Sequence, residues 1–205
     1  MILAVLASDS QKEEITASAF FGKHEVVYSE NYSLWAHHTA DAYMDLCFEP
    51  SPERIADLTK LLPKPVLVNA VTETLDKIHP SFIRFNAWPG FLKGSFLEAA
   101  AGEETQQRAM QLFGDDLIFV QDRPGFVSAR IVAMIINEAY FTLDAGTSTK
   151  AEIDIAMRLG TGYPYGPFEW GSFIGVKRVV ELLERLLMED SLYELAGSLK
   201  REASY

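Results

Sequence analysis

The chain contains a single cysteine, Cys47, among its 205 residues. One cysteine cannot form an intrachain disulfide, and it cannot supply the several thiolates of a cysteine-based zinc cage. Cys47 lies between Leu46 and Phe48 in a predicted strand, which favours a small core residue over a reactive nucleophile. A reducing, cytoplasmic environment fits this composition.

The sequence also lacks an excess of positive charge and a long apolar run. Lysine and arginine together number 18 against 29 aspartates and glutamates, which gives a net charge of −11. This acidity argues against nucleic acid as a partner, because phosphates attract basic patches. No run reaches the ~18 apolar residues that a membrane helix needs, and the apolar stretch at residues 1–8 is too short for a signal peptide. We therefore expect a cytoplasmic protein without membrane partners.

Histidine is scarce, with only His24, His37, His38 and His79 in the chain. His37 and His38 are adjacent, so on a helix their side chains point about 100° apart and do not normally share one ion. Solvated or capping roles are the better interpretation of these imidazoles. We expect no metal site.

Glycine is missing from the turn that follows the first predicted strand, Ile2–Leu6. A dinucleotide-binding sheet carries G-x-G-x-x-G there, because those glycines let the backbone approach the pyrophosphate. Here the turn reads Ala-Ser-Asp-Ser-Gln, with Asp9 placing a negative charge where a phosphate would lie. Ordinary NAD binding is therefore not expected, and no cofactor is predicted. Residues 1–121 are interpreted as an abbreviated Rossmann-like scaffold.

Short apolar runs alternate with helical stretches in this first part, which is typical of a parallel α/β sheet. The predicted strands are residues 2–6, 25–28, 43–48, 65–69, 82–85, 96–101 and 116–120. The predicted helices are residues 10–19, 34–38, 52–61 and 103–113.

The second part, residues 122–205, reads as helical. The apolar run at 126–143 predicts a helix that is buried on several faces and is capped by Gly146. Thr149 and Glu152 form a capping box for a second helix, which Gly160 is predicted to end. Pro167 predicts the first position of a third helix, and residues 176–199 predict one amphipathic helix.

Several motifs follow one another in this helical part. They are Pro-Gly-Phe at 124–126, Arg130, Asn-Glu-Ala at 137–139, Asp-Ile-Ala-Met at 154–157, Gly-Tyr-Pro-Tyr-Gly-Pro-Phe-Glu at 162–169 and Ile-Gly at 174–175. In this order they closely resemble the C-terminal domain of the 3-hydroxyacyl-CoA dehydrogenases. The resemblance implies a helical dimerisation domain of the 6-phosphogluconate dehydrogenase C-terminal type, and hence a homodimer. The predicted fold class is thus α/β plus all-α.

The resemblance also assigns the catalytic positions. In the family, a strand ends in a histidine that takes the proton of the substrate hydroxyl, and a glutamate twelve residues later orients it. Asn86 falls at the histidine position and Glu98 at the glutamate, whereas a shift of two places Arg84 at the histidine. Asparagine does not titrate near neutral pH and arginine stays protonated, so the base is missing in either alignment.

Further positions that the family uses for substrate also differ here. The family's serine after the Asn69 strand falls at Val71, with Thr72 as its neighbouring substitute. The family's asparagine before the arginine falls at Ala129, with Ser128 adjacent. Aromatic candidates for lining an acyl or pantetheine pocket, with buried packing as the alternative, are Trp88, Tyr163, Phe168 and Trp170.

Two functional hypotheses follow. In the first, the chain is a divergent relative without hydride transfer that binds an acyl-CoA-like ligand or a partner protein. In the second, it is an active NAD-dependent oxidoreductase on 3-hydroxyacyl-CoA in fatty-acid metabolism, with Glu98, Asn86 and Thr72 in altered roles. A requirement for nicotinamide separates the two hypotheses.

Overall fold

The computed structural model describes residues 1–37 and 39–204. His38, the last residue of the helix predicted at 34–38, lies outside the described residues. The chain divides into two compact units, Met1–Phe126 and Val127–Tyr205. Within the described ranges, no helix is long and apolar enough to cross a membrane.

The first unit is built on a seven-stranded sheet in the order β2-β1-β3-β4-β5-β6-β7. Its strands are β1 Ile2–Leu6, β2 Glu25–Tyr28, β3 Ala42–Asp45, β4 Val66–Asn69, β5 Ile83–Phe85, β6 Leu97–Ala100 and β7 Leu117–Phe119. Neighbouring strands are parallel except β5 and β6, which are antiparallel. The Rossmann-like sheet is thus confirmed, with one reversed pair. The reversal is possible because the connection at residues 86–96 contains no crossover helix.

Three helices cover this sheet: α1 Asp9–Thr16, α2 Pro52–Thr59 and α3 Glu103–Phe113. Strand side chains alternate between the two faces, and each face has its own apolar cluster. Phe20 and Phe113 pack with one face of the sheet, whereas Trp35 and Leu58 pack with the other. The strand predicted at residues 43–48 is too long, because the Asp45 carboxylate accepts the N–H of Cys47 at 3.2 Å and turns the chain. Cys47 therefore lies beyond the strand and is half-buried.

The second unit is helical, as predicted. Its helices are α4 Ser128–Asp144, α5 Lys150–Thr161, α6 Pro167–Ile174, α7 Val176–Leu187 and α8 Gly197–Ala203. The capping box of Thr149 and Glu152 is present, and Gly146 follows α4 in the left-handed conformation at φ +69°.

Two helix boundaries in this unit differ from the prediction. Gly160 does not end α5; Gly162 does, because it adopts φ +72° and donates its N–H to the carbonyl of Arg158. The single helix predicted at 176–199 is interrupted after Leu187. There the Asp190 side chain accepts the N–H of Leu192 at 2.9 Å and starts a short 3-10 turn.

The prediction that α4 is buried on several faces is only partly right. Val132, Ala133 and Ile136 form its buried stripe, at 5% exposure or less. Ile131, on the other side, is 52% exposed, and Glu138 is also exposed. A single copy of the chain therefore leaves the side of α4 that carries Ile131 uncovered.

Candidate functional site

The carboxyl ends of β1, β2, β3 and β4 lie along one edge of the sheet, since these strands are parallel neighbours. Open α/β sheets bind ligands at this edge, at the point where the strand order reverses. Here β2 and β3 lie on opposite sides of β1, so that point is beside the turn from β1 to α1.

Two N–H groups in the turn from β1 to α1 are bonded within the turn itself. Ser8 is the N-cap of α1 and accepts the N–H of Gln11, while the Gln11 side-chain oxygen accepts the N–H of Ser8 at 2.9 Å. The first turn of the helix also carries Asp9, which pairs with Lys12 at 3.0 Å. The N–H groups of Ser8 and Gln11 in this turn thus have internal acceptors.

Side-chain amides also bridge the edge of the sheet. The Gln11 amide nitrogen donates to the carbonyl oxygen of Leu46 at 3.0 Å, and the Asn69 amide nitrogen donates to the same oxygen at 3.0 Å. The Asn69 side-chain oxygen in turn accepts the N–H of Ala87 at 3.1 Å. We call this chain of contacts from α1 to the end of β5 the amide bridge, which consists of Gln11, Leu46, Asn69 and Ala87.

A buried ion pair lies at the end of β3. The Arg54 guanidinium donates to both carboxylate oxygens of Asp45, at 2.8 and 2.6 Å, and lies 4.8 Å from the centre of the Tyr32 ring. Burial raises the pKa of the Asp45 carboxyl to about 6, although Arg54 opposes this shift. Sequence reasoning missed this pair. Its only signal is an aspartate at the end of a strand and an arginine nine positions later on the following helix.

The structure places Asn86 and Glu98 next to each other. The register of β5 and β6 pairs Arg84 with Ala100 and Phe85 with Ala99. One step further, the N–H of Asn86 donates to the Glu98 carbonyl at 3.0 Å. The Asn86 side chain is buried, and its oxygen accepts the N–H of Trp88 at 3.1 Å.

The other predicted positions of the α/β unit lie nearby in the chain but differ in exposure. Val71 is buried at 4% exposure, whereas Thr72 is half-buried. Trp88 is 4% exposed, which favours the packing interpretation for this ring. Arg84 is fully buried, and its guanidinium donates to backbone carbonyl oxygens. This arrangement does not suit a catalytic base.

The predicted positions of the helical unit lie on α4, on α6 and in the loop before α6. Ser128 is the first residue of α4 and is half-buried. The Phe168 ring lies 4.8 Å from that of Tyr140, and the Tyr163 ring lies 5.9 Å from that of Trp170. Phe168 is buried and Tyr163 is 38% exposed, so only Tyr163 presents a large ring surface.

The Asp-Ile-Ala-Met and Tyr-Gly-Pro-Phe motifs meet at the start of α6. The Asp154 carboxylate accepts the N–H groups of Phe168 at 2.8 Å and Glu169 at 3.1 Å. A side chain on Gly166 would overlap that of Asp154, which explains the glycine. These motif residues therefore stabilise the backbone at the start of α6.

The helical unit also contains a mainly apolar cavity of about 380 Å³ between α4 and α5. Its walls include Ile135, Ala139, Ala156, Met157 and Pro167. Among the described parts of the chain, no group of three or more histidine, cysteine or acidic side chains is arranged to hold a metal ion.

Comparison with known proteins first defines the class of fold. The crystal structure of (S)-3-hydroxybutyryl-CoA dehydrogenase PaaH1 from Ralstonia eutropha aligns with a TM-score of 0.70 at 17% identity, covering 98% of this chain and 92% of that one. FadB2 of M. tuberculosis aligns with a TM-score of 0.75 at 14% identity, covering 98% and 93%. The fold is that of two-part proteins with a Rossmann-like sheet and a helical C-terminal part.

Sequence comparison then shows which known domain the helical part resembles. Residues 125–200 match the family model of the 3-hydroxyacyl-CoA dehydrogenase C-terminal domain. The 3-hydroxyadipyl-CoA dehydrogenase of Escherichia coli K12 is 47% identical over 77 residues, which are 38% of this chain and 16% of that protein. The probable 3-hydroxybutyryl-CoA dehydrogenase of Bacillus subtilis 168 is 37% identical over 90 residues, which are 42% of this chain and 31% of that protein. The chain thus matches less than a third of the length of these relatives. Residues 125–200 thus match the C-terminal domain of the 3-hydroxyacyl-CoA dehydrogenases.

Proposed function

We propose that this 3-hydroxyacyl-CoA dehydrogenase-like protein does not carry out nicotinamide-dependent hydride transfer and instead binds an acyl-CoA-like ligand or a protein partner. The observation that supports this proposal most is the hydrogen bonding within the turn from β1 to α1. Ser8 and Gln11 satisfy each other's N–H groups, and Gln11 also belongs to the amide bridge. A pyrophosphate at this turn would have to displace these contacts and approach Asp9, so the residues present do not fit it.

The first test is a titration of the purified protein with NADH, followed by cofactor fluorescence and by thermal shift. We expect no binding up to millimolar cofactor. Saturable binding in the micromolar range would contradict the proposal. The double variant Asp9→Asn, Gln11→Ala removes the charge and the bridge together, and weak NADH binding that emerges only in this variant would assign the cause to the turn.

The ligand class is proposed from the names of the relatives, which are dehydrogenases of acyl-CoA thioesters. The apolar cavity between α4 and α5 supports it, because its volume of about 380 Å³ lies within the range of small-molecule pockets. Acetoacetyl-CoA should raise the melting temperature without nicotinamide, and the rise should grow with ligand concentration. A protein that responds to neither acetoacetyl-CoA nor CoA would exclude the ligand and leave the protein partner.

A pair of alanines on α5 offers a matched control for that ligand. Both alanines are exposed residues of this helix, but Ala156 lines the cavity and Ala151 does not. Ala156→Phe should fill the cavity and abolish the response to acetoacetyl-CoA. Ala151→Phe should leave the response unchanged, and equal behaviour of the two variants would remove the cavity from the proposal.

An active NAD-dependent oxidoreductase on 3-hydroxyacyl-CoA is the second candidate. One observation favours it: the sheet brings Asn86 and Glu98 together, the two residues that the resemblance predicts at the catalytic positions. The assay is reduction of acetoacetyl-CoA by NADH. Turnover that is lost in Glu98→Gln but kept in the surface variant Glu103→Gln would establish this alternative. No turnover is the result we expect.

We further propose that the protein forms a homodimer through its helical unit. Large apolar side chains of α4 and α5 are exposed in a single copy, namely Ile131 at 52%, Phe141 at 38%, Ile155 at 48% and Leu159 at 83%. A chain of 22.9 kDa should therefore show about twice that mass by light scattering. Ile131→Glu should give a folded monomer, whereas Met188→Glu, at an exposed position on α7's end, should not change the mass. A wild-type monomer at micromolar concentration would contradict the proposal.

A further inference from the structure

One buried side chain contacts both ends of the segment at residues 122–126, which we call the connector. Arg84, on β5, has 0% exposure. Its Nη1 donates to the carboxylate of Asp122, and its guanidinium lies 4.6 Å from the centre of the Phe126 ring. The connector thus lies against a cation in the sheet of the α/β unit.

The same guanidinium also contacts the loop that follows β4. Its Nε donates to the carbonyl of Ala70 at 3.0 Å and its Nη2 to the carbonyl of Val71 at 3.3 Å. The loop and the connector are also hydrogen-bonded directly. The N–H of Gly125 donates to the carbonyl oxygen of Val71 at 2.7 Å, and the N–H of Leu75 donates to the carboxylate of Asp122 at 2.9 Å. Five hydrogen bonds and the contact with the Phe126 ring therefore connect Arg84 and two short segments that are distant in sequence.

The backbone of the connector needs such support. Phe126 has φ +50°, a left-handed conformation that a bulky side chain rarely adopts and that persists only where the surroundings compensate. A ring over a desolvated cation gives that compensation. The buried charge of Arg84 in turn requires a carboxylate and carbonyl oxygens around it. The strained residue and the buried cation therefore stabilise each other.

We propose that Arg84 is a latch, a positioning residue that keeps residues 70–75 and the connector in one arrangement, so that the two segments open together. The planar guanidinium suits this role, because it donates in several fixed directions at once and an ammonium group does not. Residues 70–75 include Thr72, so the latch also fixes the backbone of a predicted ligand-contacting loop. The latch does not depend on which ligand the protein binds.

Hydrogen–deuterium exchange on the full chain tests the latch. In Arg84→Lys, peptides covering residues 70–75 and 122–126 should both exchange at least about tenfold faster, because several charge-assisted bonds are lost. Peptides from β1 and β3 should keep their protection. Arg54→Lys is the matched control, since it alters the other buried arginine pair of this unit and should leave both segments at wild-type rates.

The proposal would be overturned if hydrogen–deuterium exchange in Arg84→Lys were unchanged in these segments, or faster in only one of them. It would also be overturned by a uniform rise over the whole sheet, which would assign Arg84 to general stability. If Arg84→Lys does not fold, Asp122→Asn provides the same three outcomes. That variant keeps the side-chain shape and removes only the negative charge at a position that is 30% exposed.

Discussion

In the helical unit, the residues that carry the family resemblance hold the chain together. Asp154 fixes the start of α6, and Asn137 bonds the carbonyl of Glu194 and the N–H of Ala196. In the α/β unit, the positions that the resemblance predicts to be catalytic hold residues that bond neighbouring backbone, as Asn86 does with Trp88. The difference teaches that the strong sequence match reports a shared scaffold. It says little about catalysis, because few of the matched residues are proposed to contact substrate.

The largest expected effect tests the scaffold role of the motif at α6. Gly166→Ala should lower the free energy of unfolding by about 3 kcal/mol or more, since its Cβ would overlap Asp154. Gly160→Ala is the control, because a Cβ there meets nothing within 4 Å inside α5, and it should stabilise by about 0.5–1 kcal/mol. Urea unfolding of both variants measures the difference. If Gly166→Ala is as stable as wild type, the motif at α6 does not have the structural role on which the comparison of the two units rests.

The next effect concerns the C-terminal tail. Asn137→Ala removes a bond of 2.7 Å to Glu194 and one of 3.0 Å to Ala196, so it should cost about 2–3 kcal/mol. Proteolysis should then cut first between α7 and α8. An unchanged cleavage pattern would show that Asn137 is retained for a reason other than holding the tail.

A pH-dependent effect tests the buried pair of the α/β unit. Burial raises the pKa of Asp45 to about 6, so the folded state binds its proton more tightly than the unfolded state. This stabilising contribution is complete below about pH 4 and is lost as pH rises through about 6, for a change of about 3 kcal/mol. Asp45→Asn removes the titration, so the stability difference between wild type and variant should change over that range and be flat above it. A difference that is flat throughout would contradict the shift.

The smallest effect has the opposite sign. Burial lowers the pKa of His24, and both its ring nitrogens are buried without a hydrogen-bond partner beside the rings of Phe20 and Phe113. The folded state therefore favours the neutral ring, and its contribution is present above about pH 6.5 and lost as pH falls below it. His24→Phe should unfold less readily than wild type in acid and similarly at pH 8. Parallel pH profiles would exclude His24 as the cause.

The sequence predicted most elements because alternation and capping are local signals. Thr149 and Glu152 lie three positions apart, and their capping box is visible without any tertiary information. The direction of β6 was not predictable, since it depends on the path of the loop at 86–96. The break after Leu187 was missed for a related reason. The helical spacing of apolar residues continues beyond it, but Asp190 accepts the N–H of Leu192, and Asn137 bonds the backbone of Glu194 and Ala196.

Some features of the candidate site were likewise predicted from the sequence, and others were missed. The spacing of Asn86 and Glu98 came from the family resemblance, and the structure places the two residues side by side. The pair of Asp45 and Arg54 and the role of Gln11 were missed. Their partners become neighbours only once β1, β3 and α2 are assembled.

Gln11 has a consequence for how this chain can change by mutation. Its oxygen accepts the N–H of Ser8 and its nitrogen donates to Leu46, so both halves of one amide are committed. Glutamate would keep the acceptor and lose the donor, and lysine would do the reverse. No single charged substitution preserves both contacts. A variant that gained a glycine-rich turn by insertions alone would still retain the amide bridge, so building a phosphate-binding turn here requires several coordinated mutations.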